Sequence, residues 1–288
     1  MKTLGVSANA SKARAGALLD RILPLARQHG ARVIADPQTA ALADGIEPVP
    51  FDRLFAEADV VMVLGGDGTL LSVVAQLGEA TTPILGVNIG GLGFLTSVAE
   101  NEIECAVASL AAGDYTVHRN PLIEARVHAA NGAASPAYTG LNEIAVARGG
   151  MLRVVHLDLS IDGDRVTTYS CDGILVATPL GSTGYSLSTG GPILTPDTPA
   201  FVISVICPHS LGSRPMVVPD ACEITIRTGQ SGEELILAAD GHAGQRVPPG
   251  DMVHVRRSAR AAHLIRLPGH SYYSILRQKL NWRGSNVR

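Results

Sequence analysis

The stretch Asp59-Val60-Val61-Met62-Val63-Leu64-Gly65-Gly66-Asp67-Gly68-Thr69-Leu70-Leu71, residues 59–71, decides the fold. Its apolar run from Val60 to Leu64 leaves no polar face, the pattern of a strand buried on both sides. The glycines end that strand, and from Leu70 to Leu77 apolar positions return at helical spacing. Pro83 to Val87 forms a second unbroken apolar run, closed by Asn88 and a glycine cluster. Strand, helix and strand in that order make a parallel β-α-β unit, because parallel neighbours require a crossover.

Working outward, Thr3 to Val6 predicts a first strand, and Ala17, Leu18, Ile22 and Leu25 predict a helix between Ser11 and His29. Gly30 is placed to end it as a C-cap. A short strand near Val33-Ile34 and a helical stretch from Phe51 to Ala58 complete this half. Past Tyr115 the texture changes. Alternating polarity marks short strands at Leu122 to His128, Glu143 to Ala147, His156 to Ile161, Arg165 to Tyr169, Phe201 to Ile206, Glu223 to Arg227 and Leu235 to Ala238. Asn131-Gly132 and Asp162-Gly163 sit where hairpin turns belong. The expected fold class is α/β, with a Rossmann-like parallel-sheet domain over 1–114 and a β-rich, sandwich-like domain over 115–264. The segment 265–288, helically spaced through Tyr272, Ile275, Leu276 and Leu280, is expected to pack back on the first domain.

At 288 residues and 46% hydrophobic content, the chain has ample material for two cores. The formal charge of −3, without any block of like charges, argues against gathering nucleic acid or an anionic membrane surface. No stretch approaches the ~20 apolar residues of a membrane helix, and the first residues do not read as a signal peptide. Cytoplasm is the expected compartment. Cys105, Cys171, Cys207 and Cys222 form no C-x-x-C pair and are read as reduced core thiols.

Four segments carry chemistry. In Gly65-Gly66-Asp67-Gly68-Thr69, glycines let the backbone approach a phosphate, and the N–H groups of the following helix attract its charge. An aspartate is wrong for binding phosphate, but it suits an attacking hydroxyl or a magnesium ion. Neither a Walker lysine nor the third glycine of a dinucleotide fingerprint is present. The second segment, Gly86-Val87-Asn88-Ile89-Gly90-Gly91-Leu92-Gly93-Phe94-Leu95, allows close backbone approach and offers the Asn88 amide at a strand end. The third is Asn142-Glu143, an amide beside a carboxylate suited to a sugar diol or a base edge. The fourth, from Asp172-Gly173 through Thr178-Pro179-Leu180-Gly181-Ser182-Thr183-Gly184-Tyr185-Ser186-Leu187-Ser188, presents many short hydrogen-bonding groups and one aromatic face, Tyr185.

These four segments, in this order and spacing, resemble the NAD kinase family from about Leu64 to Gly241. The Asn-Glu pair with D-G-x-x-x-x-T-P-x-G-S-T-x-Y is the narrow part, since G-G-D-G-T alone is shared with diacylglycerol-type lipid kinases. The resemblance implies transfer of the γ-phosphate of ATP, or of another donor such as polyphosphate, to the 2′-hydroxyl of the adenosine ribose of NAD. It implies Asp67 as catalytic carboxylate and Asp67-Gly68 as part of the dinucleotide site, and Gly65, Gly66, Thr69 and Asn88 join them as candidate NAD- or ATP-binding residues. Asn142 and Glu143 would contact the adenosine. Arg153, Asp172, Thr183, Gly184, Tyr185, Ser186, Leu187 and Ser188 would complete the pocket, and Asp240 and His242 would close it from a late loop. A divalent metal, Mg²⁺ or another, would accompany ATP, and the chain would form dimers or tetramers. Two departures stand out. Ser170 lies where relatives that strongly prefer the oxidised dinucleotide often carry a basic residue, which leaves NAD versus NADH selectivity open. The late loop reads Asp240-Gly241-His242 where D-G-Q is common. A lipid kinase should instead show a membrane-directed surface, and a non-catalytic dinucleotide sensor would have no use for Asp67.

Overall fold

The computed structural model describes residues 1–91, 93–150, 154–229 and 235–282. The chain divides into two compact units, Met1–Arg119 together with the residues from Ala262 on, and Asn120–Ala261.

The first unit contains β1 (Thr3–Ala8), α1 (Arg14–Gln28), β2 (Arg32–Ala35), α2 (Pro37–Ala40), β3 (Glu47–Pro48), α3 (Phe51–Glu57), β4 (Val60–Gly65), α4 (Asp67–Ala75), β5 (Ile84–Asn88), β6 (Val98–Ala99) and α5 (Ile103–Ala112). The strands form a parallel sheet in the order β5-β4-β1-β2-β3, and β6 also pairs with β5. Alternation sorts the strand residues between two faces. Leu4, Val6, Met62, Leu64, Leu85 and Val87 pack with Leu18, Leu19 and Ile22 of α1 and with Ile103, Val107 and Leu110 of α5. The spacing of Leu18, Leu19, Ile22 and Ala26 puts one apolar stripe of α1 on the sheet. Helices α3 and α4 contribute the buried Leu54, Phe55, Leu70 and Val73. Each such side chain stabilises the fold by roughly 1.5–3 kcal/mol through burial.

The second unit is a β-sandwich. Its strands are β7 (Thr116–His128), β8 (Tyr138–Gly140), β9 (Glu143–Arg148), β10 (Val155–Ile161), β11 (Asp164–Cys171), β12 (Gly173–Ala177), β13 (Ala200–Ile206), β14 (Met216–Pro219), β15 (Ile224–Thr228), β16 (Leu235–Ala239), β17 (His242–Val247) and β18 (Met252–Arg266), with the short helix α6 (Tyr185–Ser188) after β12. One antiparallel sheet runs β14-β13-β12-β9-β16-β17, and the facing one is built on β11-β10-β15-β18, with β7 alongside β18. Ile144, Val146, Ile174, Val176, Ile203 and Leu237 from the first meet Ile123, Leu157, Leu159, Ile226, Val253 and Val255 from the second. Asp162 and Gly163, with φ of 50° and 84°, form the tight turn of the β10–β11 hairpin.

β18 continues to Arg266, where Leu264 pairs with Ile84 of β5, and helix α7 (Tyr272–Lys279) follows within the first unit, with Ile275 and Leu276 buried. The periodicity of the sequence does not announce β18, because Arg256, Arg257, Arg260 and His263 interrupt its apolar alternation. β17 is hidden for a related reason: most of its residues are exposed. The cysteine reading needs a correction. Cys171 and Cys222 are buried, but Cys105 and Cys207 are exposed, Cys105 because it falls on the outer side of α5. Among the described residues no helix is long and apolar enough to cross a membrane.

Candidate functional site

In the first unit, parallel strands end side by side, with Ala8 opposite Leu64 and Gly65 opposite Asn88. The loops beyond such carboxyl ends line the ligand crevice of open α/β sheets. Gly65 must lack a side chain because a Cβ there would collide with Thr69. Gly66 caps α4, so the first N–H groups of that helix have no intrahelical acceptor and favour an anion. Asp67 opens the helix, and its carboxylate receives a second loop. Phe94 N–H donates to Oδ2 at 2.8 Å, while Leu95 N–H at 3.0 Å, Thr96 N–H at 3.1 Å and Thr96 Oγ1 at 3.2 Å donate to Oδ1. A carboxylate offers about four acceptor positions, two on each oxygen, so Oδ1 is fully engaged and Oδ2 keeps one lone pair. Gly93 makes this approach possible, since a Cβ there would overlap Asp67 Oδ1 and Thr96 Oγ1. Asn88 is buried and donates from Nδ2 to Thr96 Oγ1 at 2.8 Å, and its Oδ1 has no partner among the described residues.

In the second unit, Asp240 organises the start of β9. It sits at the β16–β17 turn with φ of 50°. Its carboxylate accepts the N–H groups of Leu141 (2.7 Å), Asn142 (2.8 Å) and Glu143 (3.0 Å). From the other side the Thr178 hydroxyl donates to Leu141 O at 2.6 Å, and Thr178 N–H donates to Asn142 O at 2.8 Å. Gly181 passes so close that a Cβ would overlap Asn142 O. Asn142 and Glu143 are thereby buried, with Asn142 Oδ1 and Glu143 Oε2 left without partners among the described residues. Gly184 lies against both, its Cβ position 3.4 Å from Glu143 Oε2 and 3.5 Å from Asn142 Nδ2. Orphaned buried acceptors cost roughly 1–3 kcal/mol each and mark where a ligand donor or water would be accommodated. Burial, and secondly the charge of Asp240, push the Glu143 carboxyl up to about 7. Burial also raises Asp240, while its three N–H bonds work in the opposite direction.

The remaining sequence candidates are placed as follows. Thr183 ends a 3₁₀ turn, its hydroxyl donating to Leu180 O at 3.0 Å. Tyr185 is 45% exposed, Ser186 is fully buried with an unpartnered Oγ, Leu187 is partly exposed and Ser188 is exposed. Asp172 pairs with Arg148 at 2.9 Å, and the Ser170 hydroxyl is bonded to His156 Nδ1 at 3.0 Å. Because Ala177 is the partner of Glu143 in the ladder, Asp172 lies five residues back along β12, about 17 Å at the usual strand rise. The structure thus brings Asn142, Glu143, Gly184 and Asp240 together and leaves Asp172 at the other end of β12, with Ser170 near the end of β11. His242 is exposed at the start of β17, and Arg153 lies outside the described residues.

Four contributors escaped the sequence reading. Lys12, after β1, donates from Nζ to Ile89 O at 2.5 Å and so sets a cation beside the second glycine segment. Its position beyond the carboxyl end of a parallel strand was the available signal. Thr178 and Gly181 lay inside a quoted motif, but their work is to hold Leu141 and Asn142. Arg148 carried no signal beyond its charge.

Profiles of the ATP-NAD kinase N-terminal domain and the ATP-NAD kinase C-terminal domain match residues 49–115 and 141–267. A curated NAD kinase of Koribacter versatilis is 38% identical over 283 residues, covering 98% of this chain and 99% of that protein. One of Geotalea daltonii is 35% identical over 282 residues, with 98% and 99% covered. The crystal structure of an Archaeoglobus fulgidus NAD kinase in complex with ATP superposes with a TM-score of 0.78 at 25% identity, covering 99% of this chain and 100% of that one. Yeast NADH kinase complexed with NADH has the same fold, with a TM-score of 0.91 at 24% identity, covering 99% and 89%. The chain belongs to the NAD kinase family.

Proposed function

We propose that this protein phosphorylates NAD on the 2′-hydroxyl of its adenosine ribose, using the γ-phosphate of ATP. The observation that carries the reading is full-length identity of 38% to a curated NAD kinase, and the arrangement of each cluster supports a division of labour. The hydroxyl donates to the free lone pair of Asp67 Oδ2 as it attacks. A carboxylate is a weak base toward an alcohol and phosphoryl transfer is loose, so the proton leaves late and alignment is the larger contribution of Asp67. The N–H groups at the start of α4 and the ammonium of Lys12 offset phosphate charge. The buried amide and carboxyl of Asn142 and Glu143, with unpartnered acceptors, suit the donor-bearing edge of the adenosine.

Among the described residues no group of three or more His, Cys, Asp or Glu is placed to hold a metal ion, and Asp67 accepts three backbone N–H groups and one hydroxyl, which leaves one lone pair on Oδ2. The donor set does not suit a resident metal, and the divalent ion is read as part of the ATP substrate, held by its phosphates. The same reading carries a cytoplasmic dimer or tetramer, for which Leu211, fully exposed before β14, and Val217 on that edge strand supply apolar surface. The test of the function is direct. Purified protein with NAD, ATP and Mg²⁺ should form NADP, detected by a dehydrogenase specific for the phosphorylated dinucleotide. Absence of NADP from folded protein, with either ATP or polyphosphate as donor, would overturn the reading.

A further inference from the structure

Asp172 is the single residue between β11 and β12, and those strands belong to different sheets of the sandwich. The chain therefore changes sheets at this residue. Its backbone is fixed on both sides: Asp172 N–H donates to Ile206 O at 2.9 Å, and its carbonyl accepts Arg148 N–H at 3.0 Å. Gly173 makes the corner possible, because a Cβ there would meet Ala147 and Val146 O at 2.7 Å. Among the described residues the carboxylate is held by one cation, Arg148 Nη2 at 2.9 Å from Oδ2, with both side chains only about a fifth exposed. Ser170, two residues earlier, places its hydroxyl on His156 and brings no charge to the corner.

We propose that Arg148 is a positioning residue for dinucleotide binding, acting through Asp172 from the end of the neighbouring strand β9. This rests on the reading that Asp172 contacts the dinucleotide. A largely shielded, charge-assisted contact fixes one rotamer of the carboxylate and leaves Oδ1 for the ligand. Without it the carboxylate is free to turn, and the cost appears in binding rather than in phosphoryl transfer.

The experiment measures steady-state constants for Arg148→Gln, Arg148→Lys, Asp172→Ala and the double variant Arg148→Gln/Asp172→Ala, with thermal denaturation of each. Arg148→Gln should raise the KM for NAD about 10-fold, as expected for one charge-assisted contact, leaving kcat and the KM for ATP within about 3-fold. Lys should restore most of the loss, because the contact is made by a single nitrogen. In the Asp172→Ala background Arg148→Gln should add nothing, since residues acting as a unit are not additive. A raised KM in Asp172→Ala with an unchanged KM in folded Arg148→Gln overturns the inference alone. Equal effects of Arg148→Gln in both backgrounds also overturn it. An unchanged KM in Asp172→Ala overturns the placement of Asp172 and the inference together. Should the Gln variant fail to fold, near-wild-type KM in Arg148→Lys supports the proposal, and a KM raised as far as in Asp172→Ala with unchanged stability overturns it.

Discussion

At the scale of single residues, Asp67 serves two roles with one carboxylate: it opens α4, where negative charge is favourable, and it anchors Phe94, Leu95 and Thr96. Asp67→Asn separates these roles incompletely. The amide oxygen remains where three donors meet Oδ1, so Nδ2 faces Phe94 N–H and two donors oppose each other. Turnover should fall about 10²-fold or more through loss of the acceptor, and stability should fall by about 1–3 kcal/mol through the unpaired N–H. Rate measurements combined with denaturant unfolding check both, and wild-type kcat in the folded variant contradicts the catalytic assignment. The motif and its carboxylate were legible in the sequence. The anchoring was not, because the donors come from 27 to 29 residues away.

At the scale of elements, the loop after β5 and the start of α4 behave as one structure, closed by Gly93. Gly93→Ala forces its methyl onto Asp67 Oδ1 and Thr96 Oγ1, neither of which belongs to a long flexible side chain. Overpacking of this kind costs about 1–3 kcal/mol, and because the displaced carboxylate is Asp67, kcat should drop at least about 10-fold at unchanged protein concentration. Gly91→Ala is the stability control, since its added methyl meets nothing within 4 Å. Paired unfolding curves and initial rates decide it: equal behaviour of the two variants would mean that the loop shifts freely. Elements with strong local signals were readable, such as the apolar strand β4 and the Asp162-Gly163 hairpin. β18 was not, because its pattern answers to neighbours on both sides of a long strand and its outward arginines break the alternation.

At the scale of the whole molecule, one buried carboxyl couples stability to pH. Glu143 is pushed from 4.5 up to about 7 in the folded protein by burial and by Asp240. Between those values the folded state binds more protons than the unfolded state, so stability is fully present below about 4.5 and declines as pH rises to about 7. The shift corresponds to a loss on the order of 3 kcal/mol at most. Urea unfolding at pH 5, 6, 7 and 8 should show the stability of wild type falling relative to Glu143→Gln across this window. A constant difference would mean that Glu143 is ionised throughout. The sequence by itself determined the alternation of buried strands and helices, the change to antiparallel strands, and the residue types at the phosphate turn. Those depend on side-chain periodicity and on conformations that only glycine adopts cheaply, which are local properties. Only the tertiary structure decided that Asp240 clamps Asn142 and Glu143 from 98 and 97 residues away, that Gly93 admits the carboxylate of Asp67, and that Arg148 holds Asp172. The reason is that these contacts follow from strand register, which is set by the packing of whole faces and is not expressed in any short stretch of chain.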